Sequence, residues 1–120
     1  MTSRAQAEAR EERLDLVFHA LADRTRRALL RRLGRGPAMV TELAKPFSMS
    51  LPAVSKHLRV LERAHLVSRQ VDGRVHRCSL DPERLSEVEG WLRERRGFWE
   101  QTLDSLAALS ALEGADSKRS

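Results

Sequence analysis

The sequence predicts a mainly α-helical domain interrupted once by a charged β-hairpin and ending in a long helix. Three observations carry this. Apolar residues recur at helical spacing through the first half of the chain. The period switches to alternation near residues 66–80, where Asp72-Gly73 gives a two-residue hairpin signal. From about residue 83 to 112, apolar residues return at seven-residue intervals.

Taken in order, residues 1–13 carry three acids and three arginines and read as a mobile arm or the frayed start of a helix. The ordered domain is therefore expected over 14–112, with a disordered tail at 113–120. Leu14, Val17, Phe18 and Leu21 fit a first amphipathic helix. Asp23 suits the cap of a second, which runs through Leu29 and Leu33 until Gly34 and Gly36-Pro37 stop it. A short third helix spans about Val40 to Lys45, and Pro46 with Ser48-Met49-Ser50 turns the chain into a fourth.

That fourth helix is the most informative stretch. Ser50 can cap its first turn, and Pro52 is tolerated there because early helical N–H groups lack intrahelical partners. Val54, Leu58 and Leu61 share the spacing of a buried face. The other side shows Ser55, Lys56, Arg59 and Glu62, with His57 beside them. Small hydroxyls and cations near a helix N-terminus are what a DNA major groove accepts. The helix ends near Ala64-His65, and the hairpin that follows carries Arg69, Arg74, His76 and Arg77, with Arg74 at its tip. A helix–turn–helix followed by such a hairpin is a winged helix with a two-stranded wing. The candidate double-stranded DNA contacts are Ser50, Leu51, Ser55, Lys56, His57, Arg59, Arg69, Arg74 and Arg77.

Charge distribution agrees. The chain is +5 in all, but Ala22 to Arg77 holds thirteen Lys or Arg against four acids, +9, leaving −4 elsewhere. A basic middle between neutral or acidic ends points to a polyanionic partner.

In the last helix Leu85, Leu92, Trp99 and Leu106 recur every seven residues, and Val88, Leu103 and Leu109 widen the stripe. At ~1.5 Å per residue such a helix outruns what a small domain covers. A second copy is the simplest cover, meeting the first helix as well. The expected homodimer interface is Leu14, Phe18, Leu85, Val88, Leu92, Trp99, Leu103 and Leu106. Two-fold symmetry would set two fourth helices one DNA turn apart, on a palindromic site.

Several classes are excluded or disfavoured. No apolar run approaches the ~18 residues of a membrane span, and no signal-peptide block opens the chain, so a cytoplasmic location is expected. No nucleophile–base constellation, phosphate-binding glycine loop or carboxylate cluster appears, so neither catalysis nor a cofactor is expected. The single cysteine, Cys78, alternates with Arg77 and Ser79 in a strand and is expected to face the core.

Ala20–Arg27, Glu42–Ala44, Ser50–Leu61 and the wing Gly73-Arg74 together resemble the ArsR-type winged-helix repressors of bacteria and archaea. The likeness covers about residues 14–112. It implies a homodimeric transcription factor that represses its own operon and leaves DNA on a signal, with an unidentified small-molecule effector open as a partner. Metal-sensing members carry Cys-x-Cys directly after Glu-Leu; this chain has Ala44-Lys45-Pro46 there, and residues 83–112 hold no His or Cys. Without thiolates or imidazoles the usual transition-metal sites are missing, so the resemblance is to the branch that lacks them. Leu51 stands where the family commonly has Gln, which suits a thymine methyl better than adenine. Two alternatives stay open on the sequence: a protein-docking winged helix, and a metal- or thiol-responsive repressor using Cys78 and His76.

Overall fold

The structure, a computed structural model, describes residues 3–119, with side chains through Ala111. Up to Val88 the chain forms one compact unit, and from Glu89 onward a second. The tail expected at 113–120 lies outside the residues whose side chains are described. No helix among the described residues is long and apolar enough to cross a membrane.

Helix α1 spans Arg4–Leu21, so its N-terminal half occupies part of the stretch expected as an arm. The reason is a capping box at its first turn. Ser3 Oγ accepts from the Gln6 N–H at 3.1 Å, and Gln6 Oε1 accepts from the Ser3 N–H at 3.0 Å. Further along, Arg13 Nη2 reaches Glu87 Oε1 at 2.9 Å, and Arg84 Nη1 reaches Glu87 Oε2 at 2.9 Å. The Arg13 hydrogen bond holds the Glu87 carboxyl below its ordinary pKa. Leu14, Val17 and Ala20 turn inward.

Helix α2 (Arg24–Leu33) starts at Asp23, whose side chain accepts from the Arg26 N–H at 3.0 Å. A two-residue strand β1 (Ala38–Met39) precedes α3 (Val40–Ala44). Helix α4 spans Leu51–Arg63, with the Ser50 side chain accepting from the Ala53 N–H at 3.3 Å. Strands β2 (Val67–Asp72) and β3 (Val75–Leu80) form the wing, and α5 begins at Pro82 and runs to Arg119. The core of the first unit is Leu29, Leu43, Val54, Leu58, Leu61, Leu66 and Val17, with Cys78 among them.

Two details of the wing differ from expectation. The sheet has three antiparallel strands in the order β1-β3-β2, with Ala38 opposite Cys78 and Met39 opposite Arg77. Two residues carry no readable period, so β1 could not be seen in the sequence. The hairpin turn is Gly73-Arg74 rather than Asp72-Gly73, because Asp72 pairs with Val75. Gly73 takes φ 62° while Arg74 stays out of the positive-φ region, the glycine-first pattern of a type II′ turn.

The end of α4 explains a third detail. The His65 N–H donates to Glu62 O at 2.9 Å and the Leu66 N–H to Leu61 O at 3.0 Å, the double closure of a Schellman motif. His65 therefore sits at φ 57°, where glycine is usual. An L-residue in this region costs ~1–2 kcal/mol, against ~0.5–1 kcal/mol of extra chain entropy lost by glycine. His65→Gly is expected to stabilise the fold by about 0.5–1 kcal/mol in urea unfolding. A loss of stability would contradict this account of the turn.

Candidate nucleic-acid interface

The site is built on α4. Val54, Leu58 and Leu61 are fully buried, which fixes the roll of the helix and leaves the other side outward. On that side Lys56 and Arg59 are exposed, and neither has an ion pair or hydrogen bond among the described residues. Leu51, in the first turn, is 47% exposed although apolar. Ser50 uses its oxygen to cap the helix, which leaves its O–H free to donate. Ser55 is half-buried. On the wing, Arg74 and Arg77 are exposed and unpaired among the described residues, next to exposed Val71 and Val75.

Two of the sequence candidates face inward instead. His57 Nδ1 receives Arg26 Nη1 at 3.3 Å and lies 3.8 Å from Asp23 Oδ2, so its ring joins α4 to the start of α2. Arg69 Nε binds Glu62 Oε1 and Arg69 Nη1 reaches His76 Nδ1 at 3.4 Å. The Arg69 side chain is 16% exposed; it ties the last turn of α4 to the root of the wing. Both residues position the interface more than they present charge to it. Their alternation and spacing marked the correct elements, but burial is a tertiary property that spacing does not carry.

The Arg26 side chain is half-buried and turned toward its own chain. Its Nε donates to Ala20 O at 2.7 Å and its Nη2 to His19 O at 2.9 Å. Arg27 Nη1 donates to Leu21 O at 2.7 Å. These are carbonyls of the last turn of α1, where the helix leaves acceptors underused and carries partial negative charge; His19 O also accepts from the Ala22 N–H at 3.2 Å. The Asp23 carboxyl is held below its ordinary pKa, mainly by the Arg26 backbone N–H and further by the charge of the Arg26 guanidinium. Arg26 is thus the hub joining α1, α2 and α4. Hydrogen bonds to charged groups are worth ~1.5–3 kcal/mol, so Arg26→Ala is expected to lower unfolding free energy by about 2–3 kcal/mol. Chemical denaturation reads this directly, and a loss below ~0.5 kcal/mol, the usual size of a surface change, would remove the hub role.

For metal or thiol sensing the geometry offers little. Cys78 is fully buried, and burial pushes its thiol above the ordinary cysteine range, against thiolate formation. His76 turns to Arg69. No group of three His, Cys, Asp or Glu converges among the described residues.

In the second unit, Leu92, Trp99, Leu103 and Leu106 are 51–60% exposed. The pairs Arg93–Glu89 and Arg96–Glu100, each at 2.9–3.0 Å, run along the same helix one turn apart. Phe98 and Trp99 meet edge to face at 5.5 Å, and Arg95 lies 4.6 Å from the centre of the Trp91 ring. In the first unit Phe18 is 38% exposed and Leu85 half-buried, whereas Leu14 and Val88 are already buried within the chain.

A family model described as a helix-turn-helix domain matches residues 21–70. The HTH-type transcriptional regulator Rv2034 of Mycobacterium tuberculosis is 42% identical over 102 residues, covering 85% of this chain and 92% of that protein. The transcriptional repressor SdpR of Bacillus subtilis is 33% identical over 76 residues, covering 63% and 84% respectively. Among solved structures, the ArsR family transcriptional regulator RHA00566 shares 49% identity at a TM-score of 0.71, covering 75% of this chain and 93% of that one.

Proposed function

The chain belongs to the ArsR family of winged helix-turn-helix transcriptional regulators, and from that premise we propose that it acts as a homodimeric, sequence-specific DNA-binding repressor. One observation carries the reading. The buried trio on α4 turns Lys56 and Arg59 outward, with no partner among the described residues to neutralise them. The helix enters the major groove, with Ser50, Leu51, Ser55, Lys56 and Arg59 nearest the bases and phosphates. Arg74 and Arg77 lie along the flanking backbone, and His57 and Arg69 hold the helix and wing at their mutual angle. Nothing in this cycle requires a catalytic step.

Dimerisation runs through the exposed stripe Leu92, Trp99, Leu103 and Leu106, joined by Phe18 and Leu85. Leu14 and Val88 are buried within the first unit and stand outside that surface. An exposed apolar stripe of this kind marks an association site, and a two-fold axis predicts a palindromic operator.

The test is fluorescence anisotropy on DNA from immediately upstream of the chain's own gene, with unrelated duplex as competitor. Selective binding with two chains per site is the expected result. Binding erased equally by any DNA would overturn the reading and favour a protein-docking role for the same face.

A further inference from the structure

A cleft of about 450 Å³ opens between the N-terminal half of α4, the β1–α3 junction and the wing. Its walls are apolar where they meet Met39, Val40, Leu51 and Val75, and cationic where they meet Arg69 and Arg74. Among the described residues no acidic side chain lines it. We propose that this cleft binds a small amphipathic carboxylate, an alkyl or aryl acid, and that its occupation excludes DNA. The proposal rests on the DNA-reading role of α4 and names how that role is regulated.

Size, wall chemistry and unspent charge each support it. Ligand cavities run ~300–1,000 Å³, mostly apolar with a few polar groups that fix orientation. Leu51 and Val75 remain 47% and 44% exposed, apolar surface left open by the described residues. Arg69 spends two nitrogens on Glu62 and His76, while its Nη2 is buried with no hydrogen-bond partner. Arg69 Nη2 has no accessible surface, so the guanidinium that a carboxylate in the cleft can meet is that of the exposed Arg74. Arg74 adds a second cation with no ion pair among the described residues. A neutral apolar ligand would leave the Arg74 charge unmet, and an inorganic anion would leave the apolar wall exposed.

Exclusion of DNA follows from shared groups. Leu51, Ser55 and Arg74 line the cleft and are also proposed DNA contacts. A carboxylate on Arg74 occupies the donors a phosphate would use, so ligand and DNA compete.

The experiment uses the full chain labelled with ¹⁵N and free of DNA, titrated separately with decanoate, phenylacetate and uncharged 1-decanol. Decanoate, phenylacetate or both are expected to shift amides at 39–41, 51–55 and 69–76, and which of the two acts identifies the alkyl or aryl class. Binding about tenfold tighter than 1-decanol is expected. Met39→Ala, outside the proposed DNA contacts, should weaken the acid about tenfold and leave duplex affinity unchanged. The active acid should also release labelled duplex from the unsubstituted protein. No shifts, shifts confined to 89–111, equal binding of decanol, or binding without release would overturn the proposal. The titration contains no DNA, so a failure of the DNA-reading role would appear separately, as absence of selective duplex binding by the ligand-free protein.

Discussion

Replacing Lys56 and Arg59 together with alanine weakens operator binding about a hundredfold, with the fold intact. Each cation is worth ~1–3 kcal/mol when it meets a guanine edge or a phosphate, and every 1.4 kcal/mol is tenfold. Both side chains are exposed and make no hydrogen bond or ion pair among the described residues, so their loss leaves no buried group unsatisfied. Circular dichroism and the thermal midpoint should match those of the parent. If both cations neutralise phosphates, the slope of log K against log salt falls by about 0.9 for each. Single substitutions separate base contacts from phosphate contacts, because the former relax specificity at one position while the latter weaken all sequences alike. Unchanged affinity in the double variant would mean that α4 is not the reading helix.

Leu103→Glu with Leu106→Glu converts the dimer to a monomer in sedimentation velocity and removes most operator affinity. These leucines are 60% and 56% exposed in the chain, so neither contributes to its own core. Burying a leucine is worth ~1.5–3 kcal/mol, and the two-fold axis counts each position twice. Four lost burials plus four introduced charges exceed the stability of an ordinary dimer, and the dissociation constant should rise well over a thousandfold. DNA affinity falls with it, because two half-sites held by one dimer bind with high effective concentration and two separate chains do not. The substituted positions lie on an exposed face of α5, so helix content should change little. A variant that remained dimeric would move the interface away from this stripe.

What the sequence made legible followed from periodicity and punctuation. Val54, Leu58 and Leu61 marked the buried face of α4, Ser50 its cap and Gly34 the stop of α2, and all stand where those signals put them. The parts that were not legible depend on contacts between elements. β1 exists because Ala38 and Met39 pair with β3, which no two-residue pattern announces. His57 and Arg69 look like surface charges in one dimension and become inward struts only when Asp23, Arg26 and Glu62 arrive from elsewhere. Arg26 is the clearest case. Its role was written in the α1 carbonyls it caps, six and seven residues away, and not in its own neighbours. The capping box at Ser3 and Gln6 was readable, and its Ser-x-x-Gln spacing is the signal that would have extended α1.

The most direct test of a symmetric dimer reading DNA through α4 is hydroxyl-radical footprinting on the duplex selected from upstream of the gene. The account predicts two protected segments on each strand, with equivalent points about 10 base pairs apart and related by two-fold symmetry. Both should vanish together in the Lys56 and Arg59 double variant. A single protected segment, or uniform weak protection along the duplex, would contradict it.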